Sequence, residues 1–114
     1  CLKYSPLIKL YKNQYRDDMD MLYLYSILLE DSVFYQYVIT VFGSGKELLD
    51  KIYLDLVQTK SQLITNTILK VVNLTVISNK QNLEYILEKH YFSDILMYKT
   101  YGNSVASNII SKIV

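Results

Sequence analysis

Apolar residues recur every three or four positions along most of this chain. Over 46–58 they fall at Leu48, Leu49, Ile52, Tyr53, Leu56 and Val57, and over 17–30 at Met21, Leu24, Tyr25, Leu28 and Leu29. That one-faced spacing predicts amphipathic α-helices. Asp17, Asp18 and Asp20 open the second of these, where the positive end of a helix dipole favours carboxylates. Ser5-Pro6 predicts an earlier helix start, with Pro at the first helical position and Leu7, Ile8, Leu10 and Tyr11 behind it. Further helices are predicted over 32–40, 61–77, 79–88, 93–100 and 103–114. The one at 61–77 is apolar on most sides, the mark of a helix sandwiched between neighbours. Gly43-Ser44-Gly45 ends the helix at 32–40, Gly102 ends the one at 93–100, and Asn103 or Ser104 caps the last. One proline and three glycines are few breakers, which favours helices joined by tight turns over a sheet of hairpins. On propensity alone 33–42 and 71–77 would suit strands, being rich in β-branched and aromatic residues. Residues 63–77 are too long for an ordinary strand, and helix is the expectation for both stretches.

The chain also nearly repeats itself. Residues 62–72 (QLITNTILKVV) lie over 104–114 (SVASNIISKIV) without a gap at an offset of 42, so that Asn66 meets Asn108, Ile68 meets Ile110, Lys70 meets Lys112 and Val72 meets Val114. A period in the low forties is the size of a helical repeat that buries its apolar faces only by stacking on copies of itself. The units expected are 17–58, 61–101 and a partial 103–114. A looser correspondence sets 22–29 over 69–76 at an offset of 47, with an insertion near Gly43. Beginning at Cys1 and stopping on an apolar helical pattern, the chain reads as a piece of a longer solenoid.

Composition narrows the chemistry. At 114 residues, 51% apolar and 20% charged, this is one domain at most, with enough apolar material for a core. A net charge of +1 without a run of four basic residues argues against neutralising phosphates or coating an acidic membrane as the main task. One cysteine and one histidine leave neither an internal disulfide nor a Cys/His metal cluster, and no cofactor is expected. The lone cysteine suits a reducing compartment, the cytoplasm or the nucleus. No apolar run reaches the roughly 20 residues that span a bilayer.

Individual motifs read as structure. Gly43-Ser44-Gly45-Lys46 lacks the first glycine of a P-loop and has Glu47 where that loop needs a magnesium-ligating hydroxyl, so a turn between helices is expected. His90 has no motif partner. Glu84 and Glu88, four apart, read as a solvated face, and the acids at 17–20 lack the glycine and glutamate of a calcium loop. Asn73-Leu74-Thr75 matches a glycosylation sequon on a helix expected to be hidden. Twelve tyrosines could stack single-stranded bases, but Tyr11, Tyr15, Tyr25 and Tyr53 sit on apolar helix faces, where rings pack and hydroxyls stay near water.

From Val72 onward the order of residue types resembles an armadillo repeat. Asn73-Leu74-Thr75 stands where that family has Asn-Leu-small in its third helix, Asn82, Ile86, Leu87 and Glu88 follow its pattern, and Ile95-Leu96 match its paired aliphatics. His90 and Ser93 replace the usual glycine and proline, and the third helix has no tryptophan. His90 tolerates the left-handed conformation better than most residues, which would keep the turn. The resemblance covers 63–114 well and 17–57 loosely. Residues 104–114 resemble the Rcd/Caf-type armadillo subunit of the mRNA deadenylase complex, and the helix lengths resemble the Mo/Hym kinase scaffolds.

The resemblance implies an all-α, α-α superhelix of the armadillo/HEAT kind and a non-catalytic scaffold or adaptor holding a peptide or helix of a partner protein. Its third helices line a concave surface, onto which Asn66, Lys70 and Asn73 of one unit and Asn108 and Lys112 of the next would project. Asparagine amides both donate and accept, as an extended peptide backbone requires, and lysine attracts acidic segments. Two alternatives stand beside it: an RNA-associated subunit of a deadenylase complex, and a small α/β nucleotide binder built on 33–46. Exposed apolar ends would lead an isolated piece to self-associate.

Overall fold

The computed structural model describes residues 17–113. Seven helices follow one another: α1 (Asp18–Glu30), α2 (Ser32–Phe42), α3 (Gly45–Gln58), α4 (Gln62–Ser78), α5 (Lys80–Glu88), α6 (Tyr91–Thr100) and α7 (Ser104–Ile113). The described residues are all-α, with no strand among them. The stretches with strand-like composition lie inside α2 and α4, where Phe34, Tyr35, Val38, Val71, Val72 and Val76 are buried. Tertiary burial outweighs a propensity penalty of less than about 1 kcal/mol per residue. The helix expected from Ser5-Pro6 falls outside the described residues.

Short polar side chains set most of the boundaries. Asp17 accepts from the Asp20 N–H at 2.8 Å, Asp31 from Phe34 at 3.0 Å, Asn79 from Gln81 at 2.9 Å and Asn103 from Ala106 at 2.9 Å. Ser44 caps α3 and Ser61 caps α4. Such caps satisfy amides that the first turn leaves without an intrahelical partner. Gly43 ends α2 at φ 105° and Gly102 ends α6 at φ 88°, conformations that side chains resist. His90 makes no side-chain cap bond, and its φ of −75° is right-handed. The left-handed turn expected there is not used, and α6 starts two residues early, at Tyr91.

α4 lies at the centre, packed against α1, α3, α5 and α7. It buries nine residues, among them Ile68, Leu69 and Val71 at 0% exposure. Each fully buried aliphatic side chain contributes about 1.5–3 kcal/mol, which makes α4 the spine of the core. The remaining close pairs are chain neighbours and α3 with α5. The molecule measures 40 × 29 × 22 Å. A 17-residue helix at 1.5 Å per residue is about 26 Å long, so the 40 Å dimension is built by helices lying side by side.

A buried polar knot holds the middle layers. The Tyr35 hydroxyl of α2 donates to Thr75 Oγ1 at 2.8 Å, and Thr75 Oγ1 donates back to the Val71 carbonyl at 2.9 Å. Asn82 of α5 donates to the Thr75 carbonyl at 2.9 Å. A Cβ at Gly45 would stand 2.5 Å from the Asn82 amide, so only glycine lets α3 start this close to α5.

Candidate interaction surface

α4 and α7 lie next to each other and run the same way. Near their starts the Asn103 amide donates to Asn66 Oδ1 at 2.5 Å; toward their ends Lys112 Nζ donates to Asn73 Oδ1 at 2.5 Å. Partners across the seam are 37 and 39 residues apart, whereas equivalent positions are 42 apart. The two helices are therefore staggered by about one turn, so equivalents do not stand directly opposite one another.

Four of the five residues expected to form a surface enter this seam. Lys112 bridges Asn73 and Asn108, reaching the latter at 3.1 Å, which brings Asn73, Asn108 and Lys112 together. Asn66 is held by Asn103, which the sequence marked only as a cap. Lys70 is exposed and makes no hydrogen bond or ion pair with a described residue. The Nδ2 groups of Asn73 and Asn108 likewise have no described partner, because Lys112 uses only their oxygens. Neither α4 nor α7 carries an acidic residue. The result is a row of amide donors with two lysine charges and no acidic side chain on either helix.

A second constellation lies between α3 and the pair α5 and α6. Asp50 accepts from the Tyr85 hydroxyl at 2.8 Å and from the Tyr91 hydroxyl, and Tyr53 donates to Asp94. The Tyr53 and Tyr91 rings lie 4.3 Å apart, and Lys46 and Lys89 stand over the Tyr85 ring at 5.8 and 5.5 Å. The Asp94 hydrogen bond raises the Tyr53 phenol to about 12; burial, then the Asp50 bond, raises Tyr85 to about 12 and Tyr91 further. All three phenols thus stay protonated donors at neutral pH. Asp50–Tyr91 and Tyr53–Asp94 are each 41 residues apart and reciprocal, which sets α3 and α6 parallel. Sequence reasoning missed this cluster, although its signal is present: Asp50 and Tyr53 share one helix face, and Tyr91 and Asp94 repeat that spacing in reverse order.

An apolar hole lies beside this cluster. It measures about 10 Å³ and has an apolar lining that includes Leu49, Ile52, Val72 and Ile95, too small for a substrate. No group of three or more metal-ligating side chains occurs among the described residues, and no described helix is long and apolar enough to cross a membrane. Gly43-Ser44-Gly45-Lys46 is a helix-to-helix turn in which Ser44 donates to Glu47, lowering that carboxyl's pKa. Residues 33–42, which a nucleotide-binding α/β reading needs as a strand, are helical. His90 is exposed, and Thr75 of the sequon is buried.

No family model, curated protein or solved structure matches this chain.

Proposed function

We propose that this chain is a non-catalytic interaction scaffold, built of armadillo/HEAT-like layers, that holds a peptide or helix of a partner protein along the α4–α7 ridge. The observation that carries it is the seam itself: two parallel helices whose polar residues form a row of lysines and of amide donors with no described partner, with no acidic side chain on either helix. A backbone or side-chain carbonyl accepts from Asn73 and Asn108, and an acidic side chain meets Lys70. The α-solenoid reading is supported by the parallel pairs α3/α6 and α4/α7, which recur at nearly constant sequence offsets, and by packing that joins mostly chain neighbours and every third helix.

Peptides selected from a random display library supply the probe. Acidic peptides should dominate the selection. Replacing Asn73 and Lys70 by Ala should weaken their binding at least fivefold while circular dichroism stays unchanged; unaltered affinity in that variant removes the ridge as the site.

A further inference from the structure

The connections 59–61 and 101–103 border a cleft of about 420 Å³ at the end of the molecule where α4 and α7 begin. Lys60, Gln62, Thr65, Tyr98, Tyr101 and Asn103 line it. Three independent features converge there. The first is a pair of helix starts. Parallel α4 and α7 direct the positive ends of their dipoles the same way, and the N–H groups of Gln62, Leu63, Ser104 and Val105 precede any intrahelical acceptor. The caps use other amides: Ser61 takes Ile64 and Asn103 takes Ala106. No described residue accepts from the four that remain.

The second feature is Thr65. Five threonines lie within helices, and Thr40, Thr67, Thr75 and Thr100 each donate to the carbonyl four residues back, at 2.9–3.0 Å. Thr65 does not. The residue lines the cleft and is only 8% exposed, and its hydroxyl has no partner among the described residues. Native proteins rarely leave a buried hydroxyl unpaired, and this residue lines the cleft.

The third is charge. Lys60 lines the cleft without an ion pair to any described residue, and no carboxylate is in the lining. The adjoining acid, Asp18, accepts from Thr59 at 3.2 Å.

We propose that this cleft binds a phosphate group. Because α7 starts about one turn along α4, donors border the cleft at different levels and from different directions, which suits a ligand whose acceptors point several ways, as the oxygens of a tetrahedral dianion do. Lys60 adds the matching charge, the Thr65 hydroxyl becomes paired, and the Tyr98 and Tyr101 rings leave room for whatever carries the phosphate. The cleft adjoins the start of the α4–α7 seam through Asn103, which bonds Asn66, and does not include the Asn73–Asn108–Lys112 contact.

The test is a titration of the ¹⁵N-labelled chain with inorganic phosphate, run beside acetate and chloride at equal ionic strength. Saturable shifts should be confined to the amides of Gln62, Leu63, Ser104 and Val105 and be specific to phosphate. Lys60→Gln should weaken binding at least fivefold. Thr65→Val keeps the shape and removes the unpaired hydroxyl, so it should weaken phosphate binding while leaving Tm unchanged or higher; a merely structural hydroxyl would give the opposite pair of effects. A phosphoserine peptide binding tighter than inorganic phosphate places the phosphate on a partner chain, and equal or weaker binding places it on a free ion or small molecule. Amides that ignore phosphate, or respond equally to acetate, overturn the proposal.

Discussion

The α3–α4 and α6–α7 hairpins are cut to one plan and differ in what covers them. α3 ends at Gln58 and α6 at Thr100, three residues follow each, and α4 and α7 start at Gln62 and Ser104. Every one of these landmarks is 42 residues from its counterpart. Burial follows suit: Ile64 and Ala106, Thr67 and Ile109, Ile68 and Ile110 are buried, while Lys70 and Lys112 are exposed. The difference lies on the faces toward further layers. Leu69 is fully buried and Ser111 is exposed; Asp55 is buried, accepting the Tyr25 hydroxyl of α1 at 2.5 Å, and Met97 in the same place on α6 is 43% exposed. Among the described helices α4 packs closely against four, whereas α7 packs closely against two, α4 and α6. Equivalent helices thus carry different residues according to the layers around them.

The contrast breaks most sharply at Leu69. Leu69→Ala should cost about 2–5 kcal/mol, because it opens a cavity in the spine of the core. Ser111→Ala, its counterpart, should stay within about 0.5 kcal/mol. Urea unfolding of both variants measures the pair, and equal losses would erase the distinction between inner and outer layer.

The connections differ more gently. Gly102 holds φ 88° where its counterpart Lys60 is not left-handed, and a Cβ at Gly102 would meet nothing within 4 Å. Gly102→Ala should therefore lose about 1 kcal/mol through backbone strain alone, while Lys60→Ala should leave stability unchanged.

The smallest effect is on pH. Tyr53 and Tyr85 are raised from 10 to about 12 in the folded chain, and Tyr91 is raised as well. Between those values the unfolded chain has released protons that the folded chain still holds, so stability falls as pH rises. The contribution of these phenols is complete below pH 10 and is lost as pH climbs through 12. Thermal melts from pH 9 to 12 should show the decline, and Phe at all three positions should flatten it.

Much of this architecture is legible in the residues. The three- and four-residue spacing locates all seven described helices within two residues at each end, because the apolar faces are clean and Asp, Ser, Asn and Gly mark the boundaries. The offset of 42 equals the distance along the chain from the start of α4 at Gln62 to the start of α7 at Ser104. What pairs across layers is less legible. Tyr25 was expected to keep its hydroxyl near water, yet it is fully buried on Asp55, whose place on the apolar face of α3 is hidden by its charge. The reciprocal Asp–Tyr contacts follow from α3 and α6 standing side by side, which no local pattern states. The one-turn stagger also depends on how side chains interlock, so Asn103, a cap by sequence, becomes the partner of Asn66.

Spin labels at the exposed pairs 62/104 and 70/112 test the central arrangement, α4 and α7 as parallel neighbours. Pulsed dipolar spectroscopy should give two separations that agree within a few ångströms, since eight residues along each helix, about 12 Å, carry both pairs equally far. Separations that differ by about 10 Å or more would mean that the helices splay or run in opposite directions, and would contradict the stack.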